Sequence, residues 1–241
     1  MTSLKIALLG YGKMGRETEK VLIERGHQLS LVIDSEADWT SQEAMLASCD
    51  AAIEFTTPDT APGNILRCFT ANVPVVCGTT GWQHRFEEIR QACIQGSHAL
   101  FHASNFSISV NIFFEINRRL AKLMNPLKQY EVNIEEVHHL QKLDAPSGTA
   151  IVLANDIIAE IERKKHWKSK DKGESEEIGI KSVRQDNVTG THVVTYESMN
   201  DSISISHTAK NRKIFAIGAV MACEFIAGRS GIFTMKDLLQ H

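Results

Sequence analysis

At 241 residues the chain has room for one large domain or two small ones. It is 43% hydrophobic and 23% charged, an average globular balance with enough apolar material for a substantial core. A net charge of −3 supplies no global basic field for nucleic acid or an anionic membrane, and no apolar run nears the ~20 residues that span a bilayer. The opening MTSLKIALLGYG runs straight into a strand pattern without a signal-peptide layout. The five cysteines (Cys49, Cys68, Cys77, Cys93, Cys223) are scattered without a CxxC pair. That spacing favours a reducing cytoplasm and argues against a disulfide scaffold or a structural zinc site.

Lys5 to Leu9, KIALL, reads as a buried strand. GYGKMG follows, and then a helical stretch in which Val21, Leu22 and the stem of Met14 face a sheet and Gly26 caps the end. A second strand, LSLVID, closes on Asp34. GxGxxG alone is a weak motif that a ligand-free turn also explains. Here a strand precedes it, a helix follows it, and an acid ends the next strand about 20 residues on, the spacing of a dinucleotide fingerprint. Gly10 permits the tight turn, Gly12 admits a pyrophosphate close to the backbone, and Gly15 lets the helix lie against the strand. Free amides at the helix start bind the phosphates, and Asp34 accepts from the ribose hydroxyls. Ser35, not arginine, follows Asp34, which favours NADH mildly over NADPH; Lys13 offsets part of the repulsion of a 2′-phosphate.

The alternation continues through DAAIEFTTP (Asp50 to Pro58), VPVVCGTTG (Val73 to Gly81) and HALFHASNFS (His98 to Ser107), with helices between. Strands alternating with helices imply a doubly wound parallel sheet with ligands beyond the strand C-termini. The loops FTTP, GTTG and ASNF all fall there.

The second half has a different texture. VNIFFEINRRLAKLM (Val110 to Met124) has helical spacing and stops before Pro126. YEVNIEEVHH alternates as a half-buried strand with Val132 and Ile134 inward. AIVLANDIIAEIERKK (Ala150 to Lys165) is expected to be an amphipathic helix, and the charge-dense KKHWKSKDKGESEE (Lys164 to Glu177) a mobile solvated loop. IGIKSVR, THVVTY and SISISH read as strands, the last with Ile203 and Ile205 on one face. One helix followed by a strand cluster suggests an α+β domain with a mixed or antiparallel sheet. The apolar helix KIFAIGAVMACEFIAG (Lys213 to Gly228) must be buried and returns to the nucleotide domain. The expected domains are therefore 1–105 with 213–241, and 106–212.

The segment EEVHHLQKLDAPSGTA (Glu135 to Ala150) joins the strand to the amphipathic helix. If His138 and His139 both lie in the strand, they face opposite sides and serve different roles. Histidine exchanges protons near neutral pH, and Lys142 adds positive charge. Ser147, Gly148 and Thr149 precede the helix near Ala150, an N-terminus whose amides attract an anion. Alone, such a cap is usually only a cap. Beside a nucleotide fold, the group describes a carboxylate pocket with a proton source.

The same segment resembles the E-x-H-H-x-x-K-x-D-A-P-S-G-T-A signature of the 4-hydroxy-tetrahydrodipicolinate (dihydrodipicolinate) reductase family. GTTG, ASNFSISVN, GTH, SHTAKNRKIFAIGA and SGIFTMKDLL match further family segments in order, so the resemblance runs nearly end to end. It implies a two-domain, usually homotetrameric, NADH- or NADPH-dependent enzyme of diaminopimelate and lysine biosynthesis, acting on a small dicarboxylate with loss of water. It also implies His138 and Lys142 as proton-transfer groups, and His139 with Ser147, Gly148 and Thr149 as substrate ligands. By the same resemblance Gly10, Tyr11, Gly12, Lys13, Met14, Gly15, Asp34, Phe55, Thr56, Gly78, Thr79, Thr80, Ala103, Ser104, Asn105 and Phe106 contact the cofactor. The chain departs from many members in its shorter glycine loop, with Lys13 at the usual arginine, in Asp186, and in MND at 199–201. An aspartate- or homoserine-type dehydrogenase and a non-enzymatic nucleotide sensor are the competing readings. The adjacent histidines and the D-A-P-S-G-T run argue against the first, and the paired His138 and Lys142 against the second.

Overall fold

The structure, a computed structural model, describes residues 2–186 and 188–240; Met1, Asn187 and His241 lie outside the described residues. In chain order the elements are β1 (Lys5–Leu9), α1 (Lys13–Glu24), β2 (Gln28–Ile33), α2 (Glu36–Leu46), β3 (Ala51–Glu54), α3 (Ala61–Thr70), β4 (Val75–Cys77), α4 (Phe86–Gln95) and β5 (Ala99–His102). Then come α5 (Ile108–Met124), β6 (Glu131–His138), α6 (Gly148–Glu160), β7 (His166–Lys168), β8 (Glu177–Arg184), β9 (Gly190–Glu197), β10 (Ser202–Ala209), α7 (Lys213–Ile226), β11 (Gly231–Phe233) and α8 (Met235–Leu239). The chain forms two compact units. One holds the residues up to Ile108 with those from Arg212 onward; the other is Ser109–Asn211.

The first unit is a six-stranded sheet in the order β11-β5-β4-β3-β1-β2, parallel at every pairing. A parallel sheet is covered on both faces, which is why its strands are unbroken apolar runs. Alternate residues feed opposite layers. Ala7 and Leu9 join Ile33, Trp39, Ile65 and Phe69 on one side. Ile6 and Leu8 join Val21 and Leu22 of α1 and Ala219 and Cys223 of α7 on the other. Each such buried aliphatic contributes roughly 1.5–3 kcal/mol. Helix α1 ends as its sequence predicts: Gly26 has φ +82°, His27 N–H donates to Leu22 O (2.9 Å) and Gly26 N–H to Ile23 O (3.0 Å). Helix α7 does return to this unit. Its small residues allow a close approach; a Cβ on Gly218 would lie 1.7 Å from the Phe106 carbonyl oxygen. Glu224 of α7 then takes both Arg25 (2.8 and 2.7 Å) and His27 (2.8 Å).

The second unit is a mixed sheet in the order β10-β9-β6-β8-β7. Strand β6 is parallel to β8 and antiparallel to β9. In register, Ile134 of β6 lies between Ile180 of β8 and Val194 of β9, and Val132 faces Tyr196. This apolar ladder packs on Phe113 and Ala121 of α5 and Leu153 and Ile157 of α6. Ile203 and Ile205 share that face, opposite Tyr196 and Val194, although Ile203 at the sheet edge stays 43% exposed.

The stretch Lys164–Glu177 is not a wholly solvated loop. Strand β7 pairs in parallel with β8. Glu177 draws in Lys168, Lys170 and His166. Lys164 is buried, with its ammonium on the Glu131 carboxylate and the carbonyls of Glu177 (2.9 Å) and Glu174 (3.2 Å). Charge density hides this because Lys164 and Glu177 are buried and paired, while most of the charges between them stay exposed. Lys164→Met is therefore expected to lower stability by about 2 kcal/mol, since it strands buried carbonyls and an acid. Urea unfolding checks this; a change within about 0.5 kcal/mol, the norm for a surface site, would restore the loop reading.

Candidate active site

In the first unit the nucleotide fingerprint is built as the spacing requires. Gly10 has φ +91°, and a Cβ there would meet the Phe55 carbonyl oxygen at 2.3 Å. A Cβ on Gly15 would meet Gly10 O at 2.4 Å, so only glycine lets α1 start this close to β1. Gly12 has nothing within 4 Å of its Cβ direction, so the space above it is open. Gly12 caps α1 without a side-chain bond. The amides of Lys13, Met14 and Gly15 find no protein acceptor among the described residues. Tyr11 N–H donates to Asp34 Oδ1 (2.6 Å), which ties the loop to the end of β2. These features fit a dinucleotide: donors for phosphate, an open approach, and an acid whose Oδ2 has no protein partner among the described residues.

The other predicted cofactor residues lie along the same sheet edge. Phe55 and Thr56 follow β3, Gly78 to Thr80 follow β4, and Ala103 to Phe106 follow β5. The Phe55 ring lies on Gly78, where a Cβ would sit 2.0 Å from a ring carbon, and it meets Phe106 edge-on at 6.1 Å. Thr56 N–H donates to Thr79 Oγ1 (2.9 Å), joining two of the loops. Thr79, Thr80, Ala103 and Ser104 line one cleft with Cys77, Trp82, Phe86 and His102. Sequence reasoning missed Glu54, a fully buried acid at the end of β3. It accepts from Thr56 N–H (3.0 Å), the Thr56 hydroxyl and the Cys77 thiol (3.2 Å), and so fixes this corner.

In the second unit the burial of β6 alternates strictly: Val132, Ile134, Glu136 and His138 are buried. Past the apolar ladder the same face turns polar. Glu136 lies in register between Ser182 of β8 and His192 of β9, and His207 of β10 lies opposite His192. Strand β6 ends at His138, so His139 begins the following loop. The two histidines therefore differ in setting rather than in strand face alone. His138 rests over Gly190, whose Cβ would lie 3.1 Å from the ring Nε2. Its Nδ1 is buried without a hydrogen bond, as is Nδ1 of His139.

Glu136 has no exposed surface. Its carboxylate accepts Ser147 N–H at 3.1 and 3.0 Å and the Ser182 hydroxyl at 2.8 Å. Its Oε2 stands 3.6 Å from both His138 Nδ1 and His192 Nε2, and its Oε1 is 3.6 Å from Arg184. Burial alone would raise its pKa, but the nearby His192 ring and the hydrogen bonds from Ser147 and Ser182 outweigh it and hold the carboxyl well below the usual range. The carboxylate and two imidazoles lie within 4.8 Å of one another, a metal-like spacing, yet Ser147 and Ser182 already engage the carboxylate and Ser147 Oγ meets His192 Nε2 at 3.0 Å. His138 is displaced in pKa to about 4 by burial first, then by His192, Lys142 and Arg184, with Glu136 opposing. It is neutral near pH 7 in the free protein.

Helix α6 begins at Gly148, earlier than expected, with Ser147 as its N-cap. The Ser147 hydroxyl accepts from Ala150 N–H (3.2 Å), and the Ser147 amide is taken by Glu136. The amides of Gly148 and Thr149 find no protein acceptor among the described residues, and nothing crowds Gly148. A helix start with unpaired amides and open space before it is suited to an anion. Lys142 Nζ pairs with Asp144 (2.8 Å). Arg184 donates to the carbonyls of Lys142 (3.2 Å) and Asp144 (2.6 Å), which pins the loop. Sequence reasoning did not assign Glu136 or His192 a role. The alternation of Val132 and Ile134, carried on two steps, was the signal.

The chain matches two family models, "Dihydrodipicolinate reductase, N-terminus" over residues 4–106 and "Dihydrodipicolinate reductase, C-terminus" over residues 109–239. It is 47% identical over 236 residues to the 4-hydroxy-tetrahydrodipicolinate reductase of Christiangramia forsetii, covering 98% of each chain. It is 35% identical to the enzyme of that name from Methanoregula boonei, covering 82% of this chain and 78% of the relative. In fold it is similar to a dipicolinate-bound dihydrodipicolinate reductase from a Paenisporosarcina species, with a TM-score of 0.73, 21% identity, and coverage of 97% of this chain and 98% of that one. The chain belongs to the dihydrodipicolinate reductase family.

Proposed function

We propose that the chain reduces 4-hydroxy-tetrahydrodipicolinate to tetrahydrodipicolinate with NADH or NADPH and loss of water, a step toward diaminopimelate and lysine. The observation that carries this reading is the polar end of β6. There a buried imidazole, the free amides of α6 and a lysine are gathered around one carboxylate-anchored turn. Family membership supplies the substrate.

The cofactor is held by the Lys13 to Gly15 amides, Asp34, and the loops of Phe55–Thr56, Gly78–Thr80 and Ala103–Phe106. When bound, it supplies a hydride to the substrate ring. The Gly148 and Thr149 amides and the Thr149 hydroxyl hold one carboxylate, with Ser147 capping the helix behind them, and His139 binds the substrate beside it. Lys142 leaves Asp144 for a substrate carboxylate and acts as a second proton donor. His138 protonates the ring carbon next to the one reduced. A dianion arriving beside His138 offsets the positive charges of Lys142 and Arg184 and raises its pKa toward working pH. The reading extends to a homotetramer and a cytoplasmic location, supported by the family resemblance. Among the described residues no helix is long and apolar enough to cross a membrane.

The freshly formed condensation product of pyruvate and aspartate semialdehyde is the test substrate. The purified protein is expected to consume NAD(P)H with it, and no loss of NAD(P)H absorbance against a working control would refute the proposal. In the same assay NADH is expected to have the lower Kd, because Asp34 repels a 2′-phosphate; a large preference for NADPH would contradict that reading of Asp34. His138→Gln is expected to lower kcat by about 10²–10³ with a smaller change in KM, and His139→Gln mainly to raise KM. Equal effects of both changes on both constants would show that the roles are not split in this way.

A further inference from the structure

Glu136 has no part in the roles assigned above, yet it is fully buried and held by Ser147 and Ser182. Burying a charge is costly unless donors surround it. Hydrogen bonding at Oε1 alone does not require the charge: a glutamine oxygen there could still accept from both Ser147 N–H and the Ser182 hydroxyl. The negative charge therefore needs its own explanation, and the groups around His138 provide one. The charged and titratable groups facing that ring are His192 from β9, Arg184 from β8, Lys142 from the following loop, and Glu136. His207 of β10 lies beyond His192. Of these only Glu136 is negative, and its Oε2 is 3.6 Å from His138 Nδ1.

We propose that Glu136 is a positioning residue for the reaction: its charge stabilises the imidazolium of His138, and its hydrogen bonds to the Ser147 amide hold the start of α6 where the next two amides meet a substrate carboxylate. The proposal rests on the reading of His138 as proton donor. It joins two functions in one side chain. One oxygen faces both histidine rings, while the pair of oxygens together holds the cap residue of the helix.

The two functions separate under substitution. Glu136→Gln keeps an acceptor for Ser147 and removes the charge. A protonated donor works below its pKa, so the rate falls on the basic side, and losing a nearby anion moves that limb to lower pH. The expected result is a basic limb of kcat lower by about one pH unit, kcat at neutral pH down about tenfold, and KM within about threefold. An unmoved limb would overturn the role of the charge, even if kcat fell. Glu136→Asp keeps the charge but draws it back by one methylene. It is expected to raise KM several-fold while shifting the limb less than the glutamine change; a wild-type KM would overturn the positioning role. Two readouts need no turnover: ¹⁵N NMR titration of His138 with dipicolinate bound, and dipicolinate affinity. The glutamine variant should show the lower His138 pKa, and the aspartate variant the weaker binding. If the wild type fails to turn over the substrate, the reductase reading falls, and these two measurements still decide the role of Glu136. Circular dichroism identifies a variant that has not folded, in which case the other variant and its paired readout decide.

Discussion

A carboxylate with no exposed surface is the constraint on which the second unit is built. Glu136 sits where the apolar ladder of Val132 and Ile134 gives way to chemistry, one pleat from the core and one from His138. Its donors come from β8 and the N-cap residue of α6, and a histidine of β9 stands beside it. Two strands and a helix are thereby registered against one group, and the cost of burial is offset only when all of them are in place. Because Glu136 occupies the Ser147 amide and Ala150 the Ser147 hydroxyl, the amides left for a ligand are those of Gly148 and Thr149.

The first unit reaches a similar end by the opposite route, through the absence of side chains. Gly10 and Gly15 bring the turn, the helix and the end of β3 into contact that any Cβ would block. The result is an unobstructed helix start with Asp34 tied to the loop through Tyr11. Glu54 plays the part of an internal brace here, joining Thr56 to Cys77 as Glu136 joins Ser147 to Ser182. Each unit thus places a buried acid just behind a loop of the proposed site.

What was legible in the sequence follows from range. The parallel sheet, α1 with its Gly26 terminus, and the return of α7 were readable because apolar periodicity and glycine punctuation are local signals. The short β11 was not, since three residues carry no period and it is a strand only because β5 offers an edge. Lys164 and Glu177 looked solvated because a sequence shows charges but not their partners. The candidate site was legible where it is contiguous, from His138 to Thr149. His192 and Ser182 were not assigned because only the sheet register brings them beside Glu136.

In the proposed reaction His138 is neutral in the free protein and charged once a dianion binds. Burial and three neighbouring cationic or titratable groups hold its pKa near about 4, and a ligand bearing two carboxylates opposes those charges. Binding should then draw a proton from solvent at every pH between the free and bound pKa values. Calorimetric titration of dipicolinate at about pH 6, between the free pKa and working pH, in buffers of differing ionisation enthalpy, measures that proton directly. Net uptake approaching one proton, abolished in His138→Gln, is the predicted result; binding with no uptake, or uptake unchanged in that variant, would contradict it.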